Sequence, residues 1–245
     1  MPENPLISVI IPTLNEEKLI KQTLSQFSPS IKEKYNLEVI ISDGGSSDST
    51  LRLLDSTVNK LVEANPKESQ NIPKGRNAGA KSANGKYFYF FNADTLIKDI
   101  DNFFKTSLAA FENSHNLALA CRIHVFPDEV KFSDKIFHRF YNNYVRILNL
   151  LGMGMGRGEC HMVRKEIFWK VNGYNESLAA GEDYDLYRRI GKLGRIKFLG
   201  GLTVYESPRR YRKFGYRRVF SDWTRNSLSV LFKNKSVSKV WEAVR

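Results

Sequence analysis

Cysteine is nearly absent. Cys121 and Cys160 are the two in 245 residues, without CxxC spacing. That excludes a disulfide framework and favours a reducing cytosol over secretion. Long apolar runs are missing as well. No stretch approaches the roughly 18 uninterrupted apolar residues that span a bilayer, and the opening MPENPLISVI lacks the basic-then-apolar order of a secretory leader. His115, His124, His138 and His161 are the only histidines and show no metal-site spacing. The glycine-rich GMGMGRG has no Gly-Lys-Ser/Thr ending, which excludes a phosphate loop. Neither an internal repeat nor a low-complexity linker interrupts the chain.

What is present is ordinary in bulk and uneven in detail. Apolar residues make up 42% and charged residues 26%, as in a globular protein with a substantial core. The net charge is +12. From Arg209 onward there are eleven basic residues against Asp222 and Glu242, a net of +9, which leaves +3 for residues 1–208. A basic segment of this kind suits nucleic acid, an anionic membrane or a phosphorylated substrate. Val219, Phe220, Trp223, Ser227, Val230 and Leu231 share one helical stripe within it. Two readings stay open: an interfacial membrane anchor, or a helix whose stripe packs on the domain.

Residues 6–12, LISVIIP, read as a buried strand, followed by the loop TLNEE and a helix from Glu16 to Phe27. LEVIISDGG is a second strand and glycine turn, with a helix expected from Ser46 to about Val58. KLVEAN offers a short third strand, PKGRNAGAKSANG a small-residue helix, and YFYFF a strand apolar on both faces. A helix is expected near Leu96. This alternation indicates an α/β fold with a mostly parallel central sheet flanked by helices. Further on, Phe132, Ile136, Phe140, Tyr144, Ile147 and Leu151 fall at helical spacing with basic residues between them. RKEIFWKVNGYNES reads as a helix stopped at Asn172-Gly173, EDYDLYRRIGKLG as another helix, and RIKFLGGLTVYE as a strand pair.

Four polar clusters follow strands or sit in loops: Thr13-Asn15-Glu16, Asp43-Ser46-Asp48, Arg76-Asn77 and Asn92-Ala93-Asp94. Each alone is compatible with turns and helix caps. In a parallel sheet the strand carboxyl ends share one crevice, so together they point to a polar ligand site there.

In this order the segments resemble family 2 glycosyltransferases, whose GT-A (Rossmann-like) fold binds nucleotide sugars. SVIIPTLNEE is similar to their opening strand and loop, and VIISDGGSSDST to their DDGSxD turn. GRNAGAKSANGKYFYFFNADT resembles their ARNxG…GxxxxFLDxD segment, and AGEDYDLYRRI their late ED motif. SPRRYRKFG resembles a bacterial and archaeal subgroup with an Arg-Arg segment after the last strand. The resemblance implies a glycosyltransferase domain over 1–208, with a nucleotide-sugar half at 1–100, an acceptor half at 101–208, and a basic amphipathic tail at 209–245. It places Pro12, Thr13, Asn15 and Glu16 along the nucleotide pocket, and Asp43, with Ser46 beside it, at the base, usually uracil. Arg76 approaches the base or diphosphate. Asn92, Ala93 and Asp94 match DxD, with Asp94 as ligand of Mg²⁺ or Mn²⁺. Asp183 matches the catalytic base and Glu182 its neighbour.

Asn92 departs from that pattern. It removes one negative charge, so a weaker metal site is expected, with Arg209 and Arg210 helping to neutralise a diphosphate. The implied partners are a nucleotide-sugar donor and a glycan or lipid-linked acceptor, in the cytoplasm or peripherally on the inner membrane face, without nucleic acid. Three rivals stand beside this reading. A sugar-1-phosphate nucleotidyltransferase would need a glycine-rich basic loop where PTLNEE is acidic. A nucleic-acid binder would use YRKFGYRRVF but has no use for an acidic crevice. An inactive nucleotide-sugar sensor would tolerate Asn92. His161 reads as a structural residue or part of the acceptor wall rather than an extra metal ligand, and GMGMGRG as a mobile acceptor-side loop.

Overall fold

Alternation of side chains along continuous apolar strands divides the core in two. The computed structural model describes residues 4–65, 70–238 and 244. In it, β1 (Ile7–Thr13), β2 (Leu37–Asp43), β3 (Lys60–Glu63) and β4 (Tyr87–Phe91) run parallel. They are joined by β5 (Thr95–Ile97), β6 (Ala118–Val125), β7 (Cys160–Arg164) and β8 (Ile196–Glu206). Among the described residues the strand order is β3-β2-β1-β4-β7-β6-β8-β5, with β7 and β5 antiparallel to their neighbours. Tyr87, Tyr89 and Phe91 enter one half of the core, and Phe88 and Phe90 the other. Tyr89 keeps its hydroxyl in the apolar interior by donating to Ser107 Oγ at 2.8 Å.

The connections supply helices α1 (Ile20–Leu24), α2 (Pro29–Lys34), α3 (Ile72–Ser82), α4 (Ile100–Glu112) and α5 (Phe132–Leu150). The later part supplies α6 (Lys165–Lys170), α7 (Glu182–Gly191), α8 (Arg209–Phe214) and α9 (Tyr216–Lys233). α1, α2 and α4 cover one sheet face, while α3, α5, α6, α7 and α9 cover the other. Both cysteines are free and buried. No helix among the described residues is long and apolar enough to cross a membrane.

Several expected elements come out differently. The helix expected over 16–27 keeps only Ile20–Leu24, because Asn15 takes φ 55° and the Glu16 N–H is drawn to Thr50 Oγ1 at 2.7 Å. The helix expected after Ser46 shrinks to a single 3-10 turn, Leu51–Leu53. There Asp48 Oδ1 accepts from the backbone and hydroxyl of Thr50, a local alternative to helical bonding. Leu96 lies on β5, and the helix starts later, with Asp99 capping Asn102 N–H at 3.0 Å. The final strand pair is one strand, β8, irregular where it passes Cys121 and Arg122.

The two apolar stripes of the second half part company. On α9, Val219 and Val230 are buried, and Trp223 packs on Tyr141 with ring centroids 5.4 Å apart. On α5 the stripe from Phe132 to Leu151 faces outward, while Asp134, His138, Tyr141, Asn142, Val145 and Asn149 face the core. Residues 239–243 and 245, the end of the basic tail, lie outside the described residues.

The glycine loop after α5 is held tightly against α7. Gly154 has φ 74°, and a Cβ there would sit 2.2 Å from the Tyr187 carbonyl oxygen. Gly154→Ala is therefore expected to cost at least about 2 kcal/mol from the left-handed backbone and the clash together. A fall in the urea midpoint at constant slope would register this.

Candidate active site

Because β1, β2, β4, β6 and β8 run parallel, their carboxyl ends meet at one edge, and antiparallel β7 begins there. The edge carries a cleft of about 460 Å³, within the range of small-molecule sites. Its wall contains Pro12, Thr13, Glu16, Arg76, Asn92, Ala93, Asp94, Glu182, Asp183, Arg209 and Arg210. Eleven residues anticipated from separate stretches thus line one space. Asn15, Asp43 and Ser46 do not reach the wall; they build the loops behind it. Asp43 accepts from Thr13 Oγ1 and Ser46 Oγ and from the N–H groups of Gly45 and Ser46. Asn15 Oδ1 ties the first loop to Ser47 N–H at 2.8 Å.

Arg76 organises the interior wall. Its guanidinium is 1% exposed and donates to Glu182 Oε1 at 3.0 Å, Asn92 Oδ1 at 3.0 Å and the Gly158 carbonyl at 2.6 Å. It also stacks over Tyr174 at 5.2 Å. The asparagine in place of the usual carboxylate is thus engaged by an internal arginine. Removing the cation would leave Glu182 buried without its partner, so Arg76→Ala is expected to destabilise the fold by about 3–5 kcal/mol. Lysine, lacking the fork, should recover little of this in chemical denaturation.

Asp183 and Asp94 are two of the cleft carboxyls whose pKa values are raised. Asp183, in the first turn of α7, is pushed up to about 7, chiefly by burial and then by Glu182 and Glu159, against the Tyr184 N–H bond and Arg76. Asp94 is raised to about 6 by burial, with Glu16 and Glu159 adding to it and Arg209 opposing. Arg209 Nη2 lies 3.0 Å from Asp94 Oδ2 and 2.8 and 2.9 Å from the two Glu16 oxygens. A single guanidinium therefore bridges the carboxylates that follow β1 and β4.

The sequence reading missed Arg157, Glu159 and Glu206, which also line the cleft. Arg157 Nη2 donates to Glu206 Oε1 at 2.7 Å and Glu159 Oε1 at 3.2 Å, and its guanidinium stacks 5.1 Å over Tyr141. Burial and the Glu159 charge push Glu206 well above the usual carboxylate range. Burial opposes the charge on Glu159 too, but Arg157 and a bond from Glu206 hold it below its ordinary value. Arg157 thus bridges two carboxyls that burial and their mutual repulsion drive apart in acidity. Glu206 was available to the strand-end argument, since it closes LTVYE; Arg157 and Glu159 were hidden in a glycine loop. His161 lies in the core, its Nδ1 2.7 Å from Tyr174 Oη and its ring beside Tyr187. It does not line the cleft.

A mostly parallel sheet with this acidic carboxyl edge is the architecture of GT-A glycosyltransferases. The model for glycosyl transferase family 2 matches residues 8–171, and the chain belongs to that family. Among curated proteins, it is 27% identical over 224 residues to the succinoglycan biosynthesis protein ExoA of Rhizobium meliloti, covering 86% of this chain and 67% of that one. The first curated relatives are longer, and this chain spans between 28% and 67% of their length. The mannosyltransferase PcManGT of Pyrobaculum calidifontis, solved with GDP-Man and Mn²⁺, superposes with TM-score 0.73 at 19% identity, over 95% of this chain and 65% of that one. An S. aureus TarS fragment bound to UDP-GlcNAc gives TM-score 0.62 at 19% identity, over 82% and 58%.

Proposed function

We propose that this chain transfers a sugar from a nucleotide-diphosphate sugar to a hydroxyl of a glycan or lipid-linked acceptor, with inversion at the anomeric carbon. The observation that carries the reading is the raised Asp183 carboxyl in the same cleft as the Asp94–Arg209–Glu16 cluster. A carboxylate titrating near 7 accepts a proton from an attacking hydroxyl more readily than an ordinary one. In this proposal Asp183 Oδ takes that proton, Glu182 and Arg76 hold the first turn of α7 in place, and the nucleotide occupies the side of Thr13 and Glu16. The donor base proposed is uracil. A GDP-sugar is the second reading, because the superposed mannosyltransferase holds GDP-Man.

A divalent cation fits this donor set in a limited way. Among the described residues no group of three or more His, Cys, Asp or Glu is gathered to cage a metal. The cleft nevertheless presents six carboxyls against four guanidiniums. With Asp183 ionised, as the base role requires, carboxylates outnumber guanidiniums even if Glu206 keeps its proton, leaving no positive surplus to hold a diphosphate. Mg²⁺ or Mn²⁺ binds through one or two carboxylates plus substrate phosphates, and Asp94 is the residue to hold it. Bound there, the cation would supply Lewis-acid stabilisation of leaving-group charge.

A thermal-shift panel of UDP-, GDP-, CMP- and dTDP-sugars with and without Mn²⁺ tests the reading. One nucleotide class should stabilise the protein, more strongly with metal. A flat response to every nucleotide sugar would exclude it. Action at the cytoplasmic membrane face belongs to the same proposal.

A further inference from the structure

The outward face of α5 is the feature that glycosyl transfer leaves unexplained. Its polarity is inverted. Asp134, His138, Asn142 and Asn149 are buried, whereas Phe132 and Leu150 are 77% and 73% exposed, and Ile136, Phe140, Tyr144 and Ile147 are each at least 42% exposed. Three of these are satisfied inside: Asn142 exchanges two hydrogen bonds with the Ile123 backbone, Asn149 exchanges two with Met155, and Asp134 takes Arg212 at 2.6 Å. The apolar stripe continues past the helix end through Leu151 and Met153, also exposed. At 1.5 Å per residue the 19-residue helix lays out about 28 Å of apolar surface. An apolar face of this extent marks an interaction surface.

Charge identifies what covers it. Lys135, Arg139 and Arg146 are exposed and stand one position before Ile136, Phe140 and Ile147, so a basic row borders the stripe along the helix. Lys131 extends that row. Between Val130 and Gly152 the only carboxylate is Asp134, which is buried and paired. On the other border Phe220 of α9 packs edge-on against Phe140 at 5.9 Å, so the stripe runs into the protein body. A second copy of this chain would bring a like-charged row along the helix, with the exposed carboxylates Asp128 and Glu129 lying beyond its start. An anionic bilayer offers apolar depth for the stripe and phosphate charge for the row.

We infer that α5 lies along an anionic membrane surface, embedding the side chains from Phe132 to Leu151 in the headgroup–acyl boundary. The opposite side of α5 carries Tyr141, which lines the cleft, so the bilayer would lie about one helix diameter, roughly 10 Å, from the site. This surface is distinct from the apolar stripe of α9, which packs inward.

Flotation of the full chain with phosphatidylcholine vesicles, with and without phosphatidylglycerol, tests the inference. Binding should require phosphatidylglycerol and weaken with salt. Ile136→Glu with Ile147→Glu, and separately Arg139→Glu with Arg146→Glu, should each lower the partition coefficient about tenfold or more. All four side chains are exposed, so thermal unfolding should be unchanged, as should any donor-dependent shift. That separates this inference from the transfer reading. Leu228→Glu with Phe232→Glu on α9 should retain binding. The inference is overturned if the wild type ignores anionic vesicles, if the α9 pair alone abolishes binding, or if light scattering shows a vesicle-free dimer that the α5 substitutions dissociate.

Discussion

Asp183→Asn is expected to lower kcat by about 10²–10⁴-fold while leaving donor binding intact, the loss typical of removing a positioned general base. The isosteric amide keeps the acceptor for the Tyr184 N–H but cannot take a proton. The pH dependence follows from the folded-state value of about 7 against an ordinary 3.8. Transfer needs the deprotonated carboxyl, so kcat/KM in the wild type should rise through pH 7 and level off near 8. Stability moves the other way. Between about 4 and 7 the folded state binds a proton that the unfolded state has released, so this group's contribution is lost as pH rises through that window. The asparagine variant should lack that slope and be the more heat-stable protein at pH 8. A kcat unchanged in the variant would remove Asp183 from the chemistry.

Asp94 and Arg209 should separate in their responses. Asp94→Ala is expected to abolish the Mn²⁺-dependent part of donor stabilisation and to reduce turnover by about 10²-fold or more, since it removes the carboxylate proposed to hold the cation. Arg209→Ala should do something different. Its guanidinium lies 3.0 Å from Asp94 and neutralises the charge a cation would use, so without it the metal-only thermal shift should grow. Donor affinity should fall by about tenfold, because a cation near the diphosphate is lost. Cation binding requires the ionised carboxylate, and Asp94 titrates at about 6. Mn²⁺-dependent stabilisation should therefore fade below pH 6 and be complete above 7. Calorimetric titration of Mn²⁺ into both variants checks these outcomes.

Residue order alone determined the sheet and most of the cleft. Continuous apolar runs such as YFYFF are legible because a strand buried on both faces has no polar alternation to obscure it. Polar residues placed just beyond those runs are gathered by parallel strand direction, which is why Thr13, Glu16 and Asp94 were legible in the sequence. Asp183, in the first turn of α7, follows no strand and was reached through the resemblance of AGEDYDLYRRI to the ED motif. Tertiary structure decided the rest. The Asx- and Ser-rich loops after β1 and β2 turned from helix to side-chain-bonded turns because Asn15 accepts from Ser47 N–H across the chain and Asp48 accepts both from Glu17 N–H across the chain and from Thr50 N–H beside it. Helical spacing cannot say which side of a helix meets the core, so α5 and α9 looked alike in sequence and oppose each other in the fold. Arg157, Glu159 and Glu206 acquire their role from proximity, because a buried guanidinium bridging two carboxyls is a property of distance and exclusion of water, and neither is written in local sequence.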